Sequence, residues 1–575
     1  MSNSISTGSN QTQKQTPRLP RILFYVERSL HLPFLEPIQK YLQDGQLAIT
    51  AYSAPPFFAG DAILPGWGLT DRQLEYVQGL GRFYTQPTDF EPDVTIVADA
   101  CHSMIPQLRQ VINVGHGMIC KGAFYTDKPQ VRRENISEML LVPGPWHKER
   151  LRENVFIPIV ITGFIKSDQL FGPDAVSRKE FCKKQHIDPD KKIILFAPTY
   201  NPELSAIPCV EDKIADLADN DTTLLIKLHN LTTEHWKQMY SDLAARNPNI
   251  HYLTDNDYSG MMNAADLLVS DVSSIFIEFI LLDKPVVLFD NPKMNQFELY
   301  DPTEIEYLTR DAAVSVDCAD EMIHAVKNEL SHPGRLSAKR REYAEKLDYK
   351  RDGKSAQRAT QTILDWCSGK IPPPTPRISI VIVPEDGQSA ELIADDLREI
   401  KQKCANIACE TFIWHKPLDI SGPEAEFPVF FSEFNQLRNR INTEFILFAR
   451  GGKKHPHASL KWLNNHFSWN ENAGVIKAIT DKETAGAVLK KLDQDIKLID
   501  KPEIASWALL IMGSGQSVSG RSFGSTCVMC KKMVLDRIQE MKHAPQKDNI
   551  FAILDMTAAR MGLDVLLAAD CYVWE

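Results

Sequence analysis

Two histidines stand directly after apolar runs of the kind that form buried strands. His116 lies between two glycines in VINVGHGMICK, and His229 ends TLLIKLH, two residues after Lys227. A neutral imidazole accepts a proton from an alcohol near neutral pH, which suits His116 to general-base chemistry. On an extended chain Lys227 and His229 share one face, and a cation beside an imidazole suits a phosphate. A turn histidine and a solvated strand-end lysine are the alternative interpretations, and both stay open.

A third segment places a carboxylate and two hydroxyls at another strand end. In ADLLVSDVSSIFIEFILLDKPVVLFD, Asp271 ends an apolar run, and Ser273 and Ser274 precede an apolar helix. Such serines cap a helix N-terminus, whose free N–H groups also bind phosphate oxygens. Capping alone is the competing interpretation, since every helix needs partners for its first N–H groups. Thr199 follows a further run, KKIILFAPTY, and is expected to line the same cleft.

The elements that would position these residues alternate between short apolar runs and longer amphipathic stretches. The strand-like runs are RILFYV, QLAITAY, VTIVA, VINVGHG and EMLLVPG, followed by KKIILFAPTY, TLLIKLH, IHYL, DLLVSDVSS and KPVVLFD. This alternation predicts parallel sheets covered on both faces, whose ligands bind beyond the carboxyl ends of the strands. We therefore expect an α/β protein with two tandem units and a cleft between them.

Composition divides the chain further. We expect a disordered tail over 1–20, a first unit over 21–168, a second over 169–370, a Pro-rich linker over 371–376 and a third α/β unit over 377–575. The prolines cannot continue a helix and favour an extended linker. The third unit is predicted from the runs RISIVIVPEDG, ACETFIWHK, EFPVFF, TEFILFARGG and GVIKAI.

Charge and cysteine content exclude several functional classes. The chain has 575 residues and carries 64 Lys plus Arg against 75 Asp plus Glu, a formal net charge of -11, so we expect no nucleic-acid partner. Eleven scattered cysteines are typical of a reducing cytoplasm rather than of a disulfide framework. The Cys527–Cys530 pair lacks a second metal-binding pair and is expected to be structural. No apolar stretch is long enough to span a bilayer, so membrane contact would be peripheral.

The order of the motifs resembles the CDP-glycerol glycerophosphotransferase family, which contains the teichoic-acid polymerases and primases and their capsule-polymer relatives. The order is GHG(x)3K, TGxxxxD, APTY, KLH and SDxSS(x)10KPVVLF, over about Arg21 to Trp366. The resemblance implies a glycosyltransferase-B type pair of Rossmann-like domains with no cofactor and no obligatory metal. It implies transfer of an alditol phosphate, glycerol phosphate above all, from a CDP-alditol donor to a hydroxyl of a poly(alditol phosphate) or lipid-linked glycan acceptor, with release of CMP.

The resemblance also implies residue roles. His116 matches the proposed general base, and His229 matches a second essential histidine near the phosphates. The expected substrate-binding residues are Gly117, Lys121, Thr199, Lys227, Asp271, Ser273 and Ser274. The chain departs from the family pattern at Asn230, where a proline is usual, and at Val272, where an aromatic residue is usual.

The third unit resembles a family-2 glycosyltransferase domain of the glycosyltransferase-A type. Where that family carries Asp-x-Asp, this chain has Arg450, Gly451, Gly452, Lys453 and Lys454. A divalent cation bridging a nucleotide diphosphate would lack its carboxylate ligands there. We therefore expect a catalytically inactive domain that binds polymer.

Other functions fit the same features. One is a nucleotide-sugar glycosyltransferase or a UDP-sugar 2-epimerase, which would liberate UDP rather than CMP, and another is a non-catalytic polymer-binding assembly protein. The expected location is the cytoplasm, with peripheral contact at the inner face of an anionic membrane. The segment from Arg335 to Arg358, with nine basic residues against four acids, either faces a polyanion or membrane, or is a solvated helix with ion pairs such as Glu342–Lys346.

Overall fold

The structure is a computed structural model. It describes residues 18–54, 69–99, 108, 110–118, 129–254, 257–298, 300–371, 377–383, 388–403, 408–413, 427–452, 454–455, 459–480, 484–485, 509, 515–520, 525, 527–538 and 550–573. Lys121, Lys453, residues 1–17 of the predicted tail and residues 372–376 of the predicted linker lie outside these ranges.

The first unit is built on a six-stranded parallel sheet in the order β2-β1-β3-β4-β5-β6. Its strands are β1 Arg21–Tyr25, β2 Ile49–Ser53, β3 Val94–Val97, β4 Val111–Asn113, β5 Met139–Val142 and β6 Ile159–Ile161. Its helices are α1 Leu32–Asp44, α2 Asp71–Gly79, α3 Pro145–Leu151 and α4 Asp168–Phe171. The strand order reverses between β1 and β3, and at such a point the loops beyond the carboxyl ends part and leave a crevice.

The second unit repeats the arrangement with the strand order β12-β11-β10-β7-β8-β9. Its strands are β7 Lys192–Phe196, β8 Thr222–Ile226, β9 Ile250–Tyr252, β10 Leu267–Ser270, β11 Val286–Phe289 and β12 Val314–Val316. All five pairings are parallel. Counted from β7, this is the 3-2-1-4-5-6 order of dinucleotide-binding folds, and its reversal lies between β7 and β10.

Nine helices with described bounds accompany the second sheet. They are α5 Arg178–Gln185, α6 Ile207–Val210, α7 Glu234–Arg246, α8 Tyr258–Ala264, α9 Ile275–Ile280, α10 Ile305–Leu308, α11 Ala319–Ser331, α12 Ser337–Leu347 and α13 Ser355–Cys367. The predicted α/β class with two Rossmann-like units is therefore confirmed.

The two units share one hydrophobic core. A single cluster of buried residues runs from β1 and α1 of the first sheet to β7, α9 and α13. The helix α13 packs against α1, although it follows the second sheet in the chain. Asp168 accepts hydrogen bonds from the backbone N–H groups of Ser355 and Ala356, at 2.8 and 2.7 Å, and so caps the start of α13. The last helix of the second segment therefore belongs in space to the first unit.

The third unit contains a seven-stranded mixed sheet in the order β14-β13-β15-β18-β16-β19-β17. Its strands are β13 Arg377–Val383, β14 Ala408–Ile413, β15 Phe445–Arg450, β16 Ala473–Ile479, β17 Ser517–Ser519, β18 Cys527–Lys531 and β19 Asp564–Tyr572. Its described helices are α14 Ala390–Lys403, α15 Phe427–Arg440, α16 Ser459–Trp469, α17 Lys532–Arg537 and α18 Ile550–Arg560. The expectation that EFPVFF forms a strand is wrong, because most of that run opens α15.

Side chains of α16 hold the third unit against the first. Trp469 donates from its indole N–H to the Asn154 carbonyl at 3.2 Å and packs on Phe156, with ring centroids 5.7 Å apart. Lys461 donates to the Ser137 carbonyl at 2.6 Å. Arg132 of the first unit lies over the Trp469 ring, 5.0 Å from its centroid.

Cys527 and Cys530 are both buried in β18 and belong to different hydrophobic clusters on the two sides of the third sheet, so they do not converge on one metal ion. Within the part of the chain that the structure describes, no helix is both long and apolar enough to cross a lipid bilayer.

Candidate functional site

Asp271 organises the loops where the strand order of the second sheet reverses. It directly follows β10 and is fully buried. Its carboxylate accepts hydrogen bonds from the backbone N–H groups of Thr199 at 2.9 and 3.0 Å, Ala206 at 2.9 Å and Ser273 at 3.0 Å. Because Thr199 and Ala206 follow β7 while Ser273 follows β10, one carboxylate fixes both loops against each other.

The two serines lie at the start of α9 without the predicted capping role. Ser274 is the N-cap residue, but its side chain makes no capping hydrogen bond. The N–H of Ser273 is instead taken by Asp271, two residues earlier in the chain. Both serines are half-buried, so neither belongs to the fully buried core.

His229 lies beside these loops at the end of β8. Its side chain is exposed, and its ring stacks on Tyr200 with centroids 4.7 Å apart. The ring Nδ1 accepts a hydrogen bond from the N–H of Leu231 at 3.1 Å. A neutral imidazole that accepts at Nδ1 carries its proton at Nε2, so His229 offers an N–H donor at its outer end. Lys227, half-buried, lies two residues before it on the same strand end.

His116 has the opposite hydrogen-bonding arrangement. Its Nδ1 lies 2.7 Å from the carbonyl oxygen of Ala98. A carbonyl oxygen can only accept, so Nδ1 carries the proton and the lone pair of the neutral ring is at Nε2. Gly115, with a φ of 68°, adopts the left-handed backbone conformation that glycine favours, so the chain turns directly after β4. His116 and Gly117, which follow this turn, line a pocket of the first unit.

Other titratable side chains surround His116 at the reversal point of the first sheet. Asp99, which follows β3, has Oδ2 3.7 Å from His116 Nδ1 and 3.9 Å from His31 Nε2. Glu27 follows β1, and Glu134 accepts a hydrogen bond from the Asn113 amide at 2.9 Å. All of these side chains except His116 are at least nine-tenths buried.

Burial dominates the protonation of the two glutamates. It raises the pKa of Glu134 to about 8, with repulsion from Asp99 adding to the effect and the bond from Asn113 opposing it. Burial, followed by the charge of Asp99, also raises the pKa of Glu27 well above its usual range. Sequence reasoning did not select Glu27, Asp99 or Glu134. The rule that selected His116, a polar residue directly after an apolar run, also applies to Glu27 and Asp99.

In the third unit and in the basic segment from Arg335 to Arg358, groups that were considered as contacts for a polyanion instead contact acidic side chains of the protein. At the end of β15 the Gly452 N–H donates to Asp396 of α14 at 2.8 Å, and Lys454 pairs with Glu399 at 2.7 Å. In the basic segment the ion pairs are Arg335–Glu329, Lys339–Asp311, Arg340–Asp283, Lys346–Glu342 and Arg358–Asp352, at 2.7 to 3.0 Å. This pattern favours the interpretation of the segment as ion-paired helices.

The predicted residues thus form two groups. Thr199, Asp271 and Ser273 are joined by direct hydrogen bonds, Ser274 is adjacent, and Tyr200 extends the contacts to His229. His116 and Gly117 form the second group, at the first sheet.

Comparison with known proteins gives matches to parts of the chain. Residues 113–365 match the family described as CDP-Glycerol:Poly(glycerophosphate) glycerophosphotransferase. The teichoic acid glycerol-phosphate primase of Bacillus spizizenii is 31% identical over 109 residues, which cover 18% of this chain and 27% of that protein. The primase of Bacillus subtilis is 31% identical over 102 residues, covering 17% and 26%. The chain thus spans about a quarter of the length of these relatives.

Solved structures also match part of the chain. The wall teichoic acid polymerase TagF matches with a TM-score of 0.43 and 17% identity, over 61% of this chain and 90% of that one. The UDP-GlcNAc 2-epimerase of Neisseria meningitidis matches with a TM-score of 0.41 and 16% identity, over 60% and 100%.

The family match begins in β4, three residues before His116, and ends inside α13. It therefore includes both histidines and the loops that Asp271 joins. Over residues 113–365, which are less than half of its length, the chain is similar to the CDP-glycerol:poly(glycerophosphate) glycerophosphotransferase family.

Proposed function

We propose that this protein transfers glycerol phosphate from CDP-glycerol to a hydroxyl group of a growing poly(glycerol phosphate) or lipid-linked acceptor, with release of CMP. The family match supports the reaction class. The observation that carries the assignment of roles is that Nδ1 of His116 faces a carbonyl oxygen, whereas Nδ1 of His229 faces a backbone N–H group. His116 offers a lone pair at Nε2, and His229 offers an N–H there.

In the proposed reaction His116 accepts the proton of the attacking hydroxyl. The acceptor oxygen bonds to the β-phosphorus of CDP-glycerol, the bond from that phosphorus to the bridging oxygen breaks, and CMP leaves. Positioned general bases of this kind contribute about 10²- to 10⁴-fold to the rate. The proposal requires the pocket of His116 and the crevice at Asp271 to face one bound donor.

The second unit would supply the groups that hold the phosphates. His229 Nε2–H and Lys227 would donate to the non-bridging oxygens, together with the hydroxyls of Ser273 and Ser274. Because α9 has only six residues, we assign this role to side chains and local N–H groups and not to a helix macrodipole. Thr199 and Asp271 would act by keeping the two loops in register.

The remaining expectations belong to the same proposal. The protein would act in the cytoplasm, at the inner face of the membrane that carries its acceptor. The third unit would bind polymer without catalysing transfer.

The test is to identify the nucleotide that the purified full chain releases. It is incubated with an acceptor and, in separate reactions, CDP-glycerol, CDP-ribitol and UDP-N-acetylglucosamine, and the nucleotides are separated by chromatography. We expect CMP from CDP-glycerol. Release of UDP instead would favour a nucleotide-sugar enzyme, and release of neither would favour an assembly protein.

Variants at the two histidines test the roles separately. His116→Asn keeps a donor near the Nδ1 position but lacks Nε2, so kcat should fall about 10²- to 10⁴-fold with little change in binding of CDP-glycerol. His229→Gln places an amide N–H near the Nε2 position and should retain more activity than His229→Asn. His332→Asn, at an exposed histidine of the second unit, is the matched control. Equal losses in both His229 variants would contradict the donor role.

A further inference from the structure

We propose that His31, Asp99 and His116 form a binding site for a divalent cation of the Zn²⁺ or Co²⁺ type. One ligand atom from each of these three residues lies within 4.8 Å of the other two. The carboxylate is between the two imidazoles, with Asp99 Oδ2 at 3.9 Å from His31 Nε2 and 3.7 Å from His116 Nδ1. Movements of less than about 1 Å would bring such atoms to the separations found around a bound transition metal.

The fold brings these residues together from distant parts of the chain. His31 lies in the turn between β1 and α1, Asp99 follows β3, and His116 follows β4. These strands are neighbours in the order β1-β3-β4, at the reversal point of the first sheet. His31 is 1% exposed and Asp99 4%, while the His116 side chain is 19% exposed and lines the pocket. The cluster is closed on its inner side and has an entry path on its outer side.

A buried excess of carboxyl groups supplies an independent indication. Glu27 is 5% exposed, and its Oε2 has no hydrogen-bond partner within the part of the chain that is described. Burying a carboxylate is costly unless a cation or a set of hydrogen bonds compensates it. A divalent cation beside Asp99 would compensate both carboxyl groups.

The ligand chemistry selects the class of cation. Two imidazoles and one carboxylate are ligands that Zn²⁺, Co²⁺ and Fe²⁺ accept, whereas Mg²⁺ and Ca²⁺ prefer oxygen ligands alone. Binding at His116 Nδ1, the atom 3.7 Å from Asp99 Oδ2, requires this nitrogen to give up its proton and its hydrogen bond to the Ala98 carbonyl.

Occupancy of this site has a consequence for catalysis that rests on the proposed function. A cation bound at Nδ1 leaves the proton of the neutral ring on Nε2, so His116 loses the lone pair with which it would accept the proton of the acceptor. Bound Zn²⁺ should therefore inhibit glycerol phosphate transfer, and a chelator should restore it. Cation binding itself does not depend on the proposed function.

The test uses the full chain stripped of metal and titrated with Co²⁺. A Cys318→Ser background removes the thiol of the exposed group Asp317, Cys318 and Glu321, which is a second possible set of ligands. We expect one equivalent of Co²⁺ to give visible d–d absorption without a thiolate charge-transfer band, and Zn²⁺ to displace it. Asp99→Asn and His31→Asn should weaken binding by about 100-fold or more, because loss of outer contacts alone costs 10- to 100-fold. His332→Asn should bind as the parent does.

The outcomes separate the site from the proposed function. No Co²⁺ absorption, or a spectrum dominated by thiolate, would overturn the site. If the buried-residue variants fail to fold, Cu²⁺ bound to the parent is examined by electron spin-echo spectroscopy, where two coordinated imidazoles support the site and one or none refutes it. Binding without inhibition would overturn the consequence for catalysis. Binding by a protein that transfers no glycerol phosphate would leave the site standing and refute the proposed function.

Discussion

Replacement of Asp271 should loosen two loops at once, and the size of the effect follows from its hydrogen bonds. Its carboxylate serves the N–H groups of Thr199, Ala206 and Ser273, of which the first two bonds are buried. A buried donor left unpaired costs about 1–3 kcal/mol, and water can satisfy the partly exposed Ser273 N–H. Asp271→Ala should therefore lower the free energy of unfolding of the second unit by about 2–6 kcal/mol.

Asp271→Asn provides the graded comparison. Its single carbonyl oxygen can accept from only two of the three N–H groups, and its amide cannot accept at all. We expect the free energy of unfolding to fall by about 1–3 kcal/mol, because one donor is left unpaired. Asp242→Ala, on α7 in the same unit with a side chain that is 47% exposed, is the control and should change stability by less than about 0.5 kcal/mol.

The assay is amide hydrogen exchange followed by mass spectrometry, together with urea unfolding. In Asp271→Ala, peptides covering 197–207 and 271–280 should exchange faster than in the parent, while peptides from the first and third sheets should not change. Transfer of glycerol phosphate should fall as well, because the loops position Thr199 and Ser273. Unchanged protection of both peptides in a folded Asp271→Ala protein would refute the reasoning.

Three further predictions follow from packing and protonation. The raised pKa of Glu134 means that its neutral form is favoured in the folded protein. Its contribution to stability is therefore complete below pH about 4.5 and is lost as pH rises to about 8. In Glu134→Gln, the free energy of unfolding measured with urea should depend less on pH between these values. Gly163→Ala should lower the free energy of unfolding by about 2 kcal/mol or more in thermal unfolding, since a Cβ there would lie 2.4 Å from Ser355 Oγ at a φ of +96°. Gly79→Ala is the comparison, because a Cβ at that position meets no atom within 4 Å. Trp469→Ala should release the third unit from the first, seen as faster proteolysis between the units while the transfer reaction persists.

Much of the fold was predictable because its strands are short and almost wholly apolar. Strands such as β7, β8 and β10 bury nearly every residue, and this composition marks parallel strands covered on both faces. The three-residue strands β6 and β12, both partly exposed, were not predicted. Six residues such as EFPVFF show no period, and only the continuation to Arg440 makes that segment a helix.

The candidate site was predictable to the extent that it follows strand ends. His116, His229, Thr199 and Asp271 occur in local motifs, and each lies where its motif predicts. The association of His31 and Asp99 with His116 depends on the strand order, which no local pattern encodes. Likewise Ser274 has the position of a capping residue, but whether it caps depends on competition with the neighbouring carboxylate of Asp271.

The path of α13 has a practical consequence for work on separate pieces of this protein. A fragment ending near residue 168, which follows the order of the chain, would leave α1 facing water where α13 normally covers it. Joining 355–367 to such a fragment through a short synthetic tether would restore the covering helix. The two units are therefore best expressed with the order of the chain rearranged so that α13 is joined to the first unit, or produced together in one cell. Simple truncations would separate α13 from α1.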